Sequence, residues 1–495
     1  MFKKILVANR GEIALRVIRT CQEMGIASAA VYSDADRKAL HVLRADQAIY
    51  IGASEPASSY LDIEKIIAAA KGTGAQAIHP GYGFLSENAG LARRCEEEGL
   101  VFIGPPFRVI QDLGDKTVAR KIMSRGGIPI IPGMAHAESV IQILAEEAGR
   151  IGYPVLIKAA AGGGGKGMRI VFTEDEIADA CRQAASEAQA AFGNGAIYLE
   201  KFLKRPRHIE FQILADSHGN IVHLLERECS IQRRHQKVIE ETPSPVMTPD
   251  LRAAMGQSAV DAARASGYVN AGTVEFLLDE NGKYYFLEVN TRLQVEHPIT
   301  EMITGIDIVR QQIRIAAGEP LGFTQADVKG RGHAIECRIY GEDPENDFMP
   351  SPGKIAYLQE PSGPGIRNDC GIYSGFVVPV EYDPILSKLI VWAADRNQAV
   401  ARMKNALSQY VILGIKTPIA FLMDVLASEP FRDGETCTDF IATHFEGWKQ
   451  RTDEVHLAVL AYVADEIAGA RKTQARISGT TEPFTPWQTI GNWRL

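Results

Sequence analysis

Hydrophobic and polar positions alternate in blocks from the first residue. Residues 3–9, "KKILVAN", form a short apolar run that ends in Asn9-Arg10-Gly11. Ile13, Val17, Ile18 and Cys21 then recur at helical spacing, and "ASAAVYS" follows as a second apolar run. That order predicts β-α-β, the start of a parallel sheet. "AQAIHPGYGFLSEN" and "GLVFIGP" continue the alternation, so residues 1–115 read as an open α/β domain. "GDKTVARKIMSRGGIP" reads as a helix closed by Gly126-Gly127 and Pro129. A smaller unit is expected over residues 130–202, and hairpin signals run from 203 to 320. The alternating "GHAIECRIYGED" opens a third region over 333–446, with helices expected in "NQAVARMKNAL" and "TPIAFLMDVLAS". In the tail, 447–495, Val455, Val459, Val463 and Ile467 recur every four residues, which predicts an amphipathic helix over 453–470. "TQARISGTTEPFTPWQTIGNWRL" then reads as an extended strap. Its two tryptophans suggest docking onto a partner or onto the chain's own surface.

Composition narrows this little. The chain has 495 residues, 46% apolar and 23% charged, as soluble globular proteins do. A net charge of −8 argues against nucleic-acid or membrane-surface binding by bulk attraction. Seven scattered cysteines form no C-x-x-C pair and no disulfide framework. No signal peptide and no membrane-spanning run is evident, so the expected location is cytoplasmic.

Two patterns carry chemistry. The first is the glycine run in "KAAAGGGGKGM", residues 158–168. It fails as a Walker A loop, because Met168 follows Gly167 where the motif requires a lysine. Gly162, Gly164 and Gly167 match G-x-G-x-x-G, but "RIVFT" after them is strand-like, whereas that fingerprint opens a helix. The run is therefore expected to cap a β-hairpin. Its amides, with the flanking lysines, would form a nest for a polyphosphate under a flap that opens and shuts. The alternatives at this point are a linker and a purely structural glycine loop.

The second pattern is "GTVEFLLDENGKYYFLEVN". A two-residue Asn281-Gly282 turn pairs 280 with 283 and, further along, Glu275 with Glu288. Facing carboxylates repel unless something positive lies between them. Asn290 shares the face of Glu288, and this all-oxygen set suits Mg²⁺ carrying nucleotide phosphates. A slip of one residue would separate the glutamates. In the following "NTRLQVEH", Arg292, Gln294 and Glu296 alternate onto one side. His208, Gln232, His235 and Lys237 add basic and polar groups near the same place, which favours anion binding.

The segments "NRGEIALRVIR", "HPGYGFLSEN", "GDK", "AAAGGGGKGM", "EKFL", "RHIEFQ", "ECSIQRRHQKVIEE", "EFLLD", "LEVNTRLQVEH", "GHAIECRIYGEDP" and "MPSPGKI" occur in this order over residues 2–446. Together they resemble the biotin carboxylases, an ATP-grasp family. The resemblance implies an open parallel-sheet N-terminal domain over 1–115, an ATP-grasp domain over 116–320 with its flap subdomain at 130–202, and an α+β C-terminal domain over 333–446. It implies ATP- and bicarbonate-dependent carboxylation of biotin. Lys116 and Lys158 match the family's phosphate ligands, and the flap, with Gly163, Gly164, Gly165 and Met168, closes over the nucleotide. Glu200 and Leu203 match the adenine-reading hinge, and His208 a nucleotide contact. Gln232 and His235 fall on substrate and nucleotide positions. Glu275, Glu288 and Asn290 match the positions for Mg²⁺, or for Mn²⁺ in its place. Lys237, Arg292, Gln294 and Val295 match the bicarbonate pocket. Glu296 matches the base that takes the bicarbonate proton, Arg338 the cation beside the biotin enolate, and Tyr82 a contact to the biotin ring.

The family attaches biotin to a lysine between two methionines. The only Met-Lys here is Met403-Lys404, followed by Asn405. Biotin is therefore expected on a separate biotin carboxyl carrier protein, with a separate carboxyltransferase and, by the resemblance, a homodimer. The ending "PFTPWQTIGNWRL" resembles the joint at which longer acyl-CoA carboxylase chains continue, which favours an acyl-CoA system over a two-subunit pyruvate carboxylase. Two other readings are another ATP-grasp ligase, making carbamoyl phosphate or a purine precursor, and a non-catalytic nucleotide-binding scaffold.

Overall fold

A computed structural model describes residues 1–134, 136–159, 168–234, 236–450 and 460–464. The expected flap residues Gly163, Gly164 and Gly165, His235, and most of the tail helix over 453–470 lie outside the described residues. The chain divides into two units, Met1–Gly447 and Trp448–Leu495. In the second, residues 460–464 are helical. Among the described residues no helix is long and apolar enough to cross a membrane.

The first unit begins with a five-stranded parallel sheet in the order Gln47–Gly52, Ala27–Ser33, Lys4–Val7, Ala77–His79, Val101–Phe102. Helix Gly11–Glu23 returns the chain to it, with Ile13, Val17, Ile18 and Cys21 all buried, the face that helical spacing predicts. At the strand-to-helix turn Gly11 takes a φ of +64°, where a side chain would be strained. Asn9, buried at the same turn, donates from Nδ2 to the carbonyls of Pro80 and Tyr82, each at 2.7 Å. This ties the 80–82 loop to the C-terminal edge of the sheet.

A small antiparallel sheet follows, in the order Arg169–Val171, Val155–Ala159, Ile197–Lys201. Ile157 pairs with Arg169, so the glycine run joins two antiparallel neighbours. Helices Ile141–Ile151 and Glu174–Phe192 supply Leu144, Ala148, Ile177 and Cys181 to a core with Val155 and Ile157.

The largest element is an eight-stranded antiparallel sheet. Its order is Tyr284–Asn290, Asn270–Leu278, Arg207–Ala215, Ile221–Arg233, Gln236–Thr242, His333–Tyr340, Ile385–Ala393, Ile366–Cys370. The 320/333 division expected from the sequence does not interrupt it, because Ile239 of the fifth strand pairs with Cys337 of the sixth. One face carries Ile209, Phe211, Val274 and Phe276 into a core with helix Pro249–Ser266. The other face carries the charged groups described next.

Candidate functional site

The Asn270–Leu278 and Tyr284–Asn290 strands pair Glu275 with Glu288, Val274 with Val289 and Thr273 with Asn290. The turn differs from the two-residue form predicted. Asp279 N–H donates to the Lys283 carbonyl at 2.8 Å, Gly282 N–H donates to the Asp279 carbonyl at 3.1 Å, and Gly282 has a φ of +75°. The loop is therefore three residues, 280–282, and near it the register is one residue out, with Leu278 opposite Tyr284. An irregularity between Glu275 and Phe276 absorbs the extra residue and restores the pairing of the glutamates.

Positive charge does reach Glu275. Its Oε1 lies 2.8 Å from Lys237 Nζ, and its Oε2 lies 3.0 Å from His208 Nε2. Burial alone would push the Glu275 carboxyl up, but Lys237 and His208 outweigh it and hold it well below the usual carboxylate range. Glu288 behaves oppositely. Burial and the neighbouring Glu275 push its carboxyl up, against Lys116, and it forms no ion pair among the described residues. Asn290 Nδ2 donates to Glu275 Oε1 at 2.8 Å, and Asn290 Oδ1 accepts from Arg292 at 3.0 Å. This set of two carboxylates and an amide oxygen fits a hard divalent cation, which would relieve the unpaired Glu288.

Lys237 lies between three carboxylates: Glu210 at 2.5 Å, Glu275 at 2.8 Å and Glu296 at 2.7 Å. It sits opposite the buried Gln232 across the strand pair. Glu296 is buried, and its second oxygen lies 3.0 Å from Arg338. Burial would raise the Glu296 carboxyl, but Lys237, Arg338 and Arg227 together hold it well below the ordinary range. Arg338 also donates from Nε to Glu240 at 2.6 Å. Arg292 donates to four partners, Glu87 at 2.9 Å, Gln294 at 3.0 Å, Asn290 at 3.0 Å and the Leu293 carbonyl at 3.2 Å, and so holds the 290–294 segment in shape. Val295 accepts from Lys388 at 2.9 Å through its carbonyl. Tyr82 lies with its ring 5.6 Å from the Lys388 ammonium.

A second group lies on the small sheet and the helix beside it. Lys158 pairs with Glu200, whose other oxygen is 2.9 Å from Arg120. Leu203 follows the end of strand Ile197–Lys201 and makes no hydrogen bond among the described residues. Lys116 opens helix Lys116–Arg125, capped by Asp115 through the N–H groups of Thr117 and Val118. Met168, just after the glycine run, is exposed.

Several residues of this network escape a reading of the sequence. Arg227 is fully buried and donates to Glu210 at 2.5 Å, Gln212 at 2.8 Å, and Thr300 and Thr273 at 3.0 Å each. Glu210 was within reach, because it alternates with His208 and Gln212 in "HIEFQ" and so shares their face. Glu87 was not, since its partners Thr291 and Arg292 are more than two hundred positions away. Removing Arg227 strands Glu210 beside fewer cations without water. Arg227→Met is expected to cost about 3–5 kcal/mol, read as a lower midpoint in urea unfolding with an unchanged slope.

An ATP-grasp ligase is the class that this sheet and site define. The sequence matches "Biotin carboxylase, N-terminal domain" over residues 1–110. It matches "Carbamoyl-phosphate synthase L chain, ATP binding domain" over 115–324 and "Biotin carboxylase C-terminal domain" over 336–443. Over 447 residues it is 56% identical to a pyruvate carboxylase subunit of Methanothermobacter thermautotrophicus, covering 90% of this chain and 91% of that one. Over 498 residues it is 47% identical to the alpha subunit of mitochondrial methylcrotonoyl-CoA carboxylase from Dictyostelium discoideum, covering 99% of this chain and 70% of the relative. A crystal structure of the biotin carboxylase domain dimer of Hydrogenobacter thermophilus 2-oxoglutarate carboxylase, with MgADP, ADP and bicarbonate, superposes with a TM-score of 0.85 at 49% identity. It covers 91% of this chain and 99% of that one. The chain belongs to the biotin carboxylase family, and it is an ATP-dependent ligase.

Proposed function

We propose that this chain is the biotin carboxylase component of an acyl-CoA carboxylase built from several separate chains, acting on biotin held by a carrier protein. The observation that carries the chemistry is the Glu296 carboxylate, gripped at one oxygen by Lys237 and at the other by Arg338. In this reading Lys116, Lys158 and the glycine run hold the ATP phosphates, with Met168 at the end of the flap. Glu200 and Leu203 face the adenine, and His208, Gln232 and His235 complete the nucleotide side. Glu275, Glu288 and Asn290 would hold Mg²⁺, which would supply charge neutralisation at the phosphate oxygens. Arg292, Gln294, Lys237 and the Val295 backbone bind bicarbonate. The divisions at 115, 320 and 333 mark functional segments of one continuous structure.

The chain's own groups then act in order. Bicarbonate is a poor nucleophile and an anion, so Arg292 and Lys237 must hold it against the γ-phosphate. Glu296 takes its proton as an oxygen of bicarbonate attacks phosphorus, giving carboxyphosphate and ADP. Carboxyphosphate breaks to carbon dioxide and phosphate, and that phosphate takes the ureido proton of biotin. Arg338 then faces the enolate oxygen while the nitrogen attacks carbon dioxide. Tyr82 lies against the biotin ring. The test uses the purified chain: ADP release should require bicarbonate and rise with free biotin. Bicarbonate-independent release, or binding of ATP without turnover, would overturn the reading.

The acceptor is argued from the tail. Alignment with the Dictyostelium methylcrotonoyl-CoA carboxylase relative runs through 99% of the chain, whereas those with the pyruvate carboxylase relative and with the mouse and rat methylcrotonoyl-CoA carboxylase subunits span 90% and 89% of it. The second reading, a 2-oxoacid carboxylase, is favoured by the higher identity of the pyruvate carboxylase relative and by the 2-oxoglutarate carboxylase structure. Labelled bicarbonate given to the intact purified complex should enter an acyl-CoA and not pyruvate or 2-oxoglutarate. We also propose that the chain forms a homodimer and that residues 448–495 dock the carrier and carboxyltransferase chains. Cutting after residue 447 is expected to abolish co-purification of those chains while free-biotin carboxylation stays within about twofold, since every residue assigned to the site belongs to the Met1–Gly447 unit. Intact assembly after the cut would remove the docking role.

A further inference from the structure

Lys388 is one of the largest fully buried side chains in the protein, at 0% exposure. It lies on the Ile385–Ala393 strand directly across from Arg338, with Asp369 on its other side. A lysine without water needs a reason, because desolvating the ammonium costs several kcal/mol. An ion pair is a weak one here. Its nearest carboxylate, Glu12, is 3.3 Å away, and burial pushes that carboxyl up to about 7 even against Lys388. Neither Glu12 oxygen, nor either oxygen of the buried Glu336, has a hydrogen-bond partner among the described residues. Asp369 is already taken by Arg367 at 2.7 Å. The shortest polar contact of the ammonium is the Val295 carbonyl, at 2.9 Å.

We propose that Lys388 is a positioning residue that fixes the Val295–Glu296 peptide and so aims the Glu296 carboxylate. This rests on the reading of Glu296 as the base. The Val295 carbonyl is coplanar with the Glu296 N–H and Cα, because the peptide does not twist. Residues 291–296 belong to no strand or helix; the Glu296 carbonyl accepts from Ile299 N–H at 3.3 Å as helix His297–Thr304 begins, and the peptide on its other side is held through the Val295 carbonyl by Lys388. Glu296 is thus held at both ends by cations on neighbouring strands, its side chain by Arg338 and its backbone by Lys388. Glu12, at the start of the first helix, is the partial counter-charge, and the Tyr82 ring lies 5.6 Å from the ammonium. One buried ammonium therefore touches the loop carrying the base, the ring assigned to biotin, and the N-terminal segment.

The experiment compares wild type, Lys388→Met, Lys388→Arg and the double variant Glu12→Gln/Lys388→Met in bicarbonate-dependent ATP cleavage, with thermal midpoints recorded. A misaimed base should lower kcat by about ten- to a hundredfold and raise the bicarbonate KM, with the ATP KM within about twofold. Lys388→Arg keeps a donor for the carbonyl and should recover part of the rate. Without Lys388 the buried Glu12 carboxyl takes a proton and is uncharged at neutral pH, so the double variant should share the midpoint of Lys388→Met and its impaired bicarbonate kinetics. Wild-type bicarbonate kinetics in Lys388→Met, or kinetics restored in the double variant, would overturn the proposal and leave the function standing. Absence of bicarbonate-dependent cleavage in the wild type would overturn the function, and the proposal with it.

Discussion

Replacing Glu296 with Gln is expected to lower bicarbonate-dependent ATP cleavage by about a thousandfold, within the range of a lost general base. The amide nearly matches the carboxylate in shape and can still accept from Arg338, which now lies 3.0 Å away. Lys237 keeps Glu210 and Glu275 as counter-charges. Folding should therefore change little, and the loss should lie in kcat. In the free protein Lys237, Arg338 and Arg227 hold the Glu296 carboxyl well below its usual range, against the effect of burial. It is therefore ionised throughout the neutral range, ready to take a proton but weak as a base. A bound bicarbonate would share Lys237 and Arg338, weaken their hold and raise its basicity at the moment of use. Protonation of Glu296 in the free protein should matter only at strongly acid pH, so kcat/KM for bicarbonate should show no Glu296 limb between about pH 6 and 9. A near-wild-type rate for purified Glu296→Gln would refute its role.

Arg338→Ala is expected to lower biotin carboxylation by about a hundred- to a thousandfold, the usual loss for a donor aimed at developing negative charge. The effect should divide between the half-reactions. ATP cleavage without biotin needs Arg338 only to hold Glu296 and should fall less than carboxylation does. Lysine at 338 would keep the charge and lose the fork that now serves Glu240 and Glu296 together, and should give an intermediate rate. Removing the arginine leaves Glu240 without its cation. Burial already raises that carboxyl into the neutral range, so it can become the uncharged acid in place of a stranded anion. Equal losses in both half-reactions would show that Arg338 acts on Glu296 alone.

Much of the local structure was legible because it follows from period. The helix over Gly11–Glu23 buries the residues spaced for it, and the glycine run joins two strands that pair. The hairpin arithmetic put Glu275 opposite Glu288, which is their partner in the structure, although by a different route. The turn takes three residues where two were expected, and a bulge absorbs the difference. The bulge does break the alternation, placing Phe286 and Val289, three residues apart, in one core, but the apolar Leu287 between them hides the break in the sequence. The continuity of the eight-stranded sheet was also hidden. Gln236–Thr242 and His333–Tyr340 pair across about ninety intervening residues, and nothing in either strand names its partner.

The charged groups divide in the same way. Residue order alone set which carboxylates, amides and cations lie on one face of each strand, since side chains alternate along extended backbone. His208 with Glu210 is of this kind, whereas Arg292, Gln294 and Glu296 lie in an irregular segment that turns into helix His297–Thr304, so alternation did not set their side. Which of them meet was decided by tertiary structure, because ion pairs act over a few ångströms while their members come from distant strands. Lys237 between Glu210, Glu275 and Glu296, Glu87 against Arg292, and Lys388 against Val295 exist only once the sheet has closed.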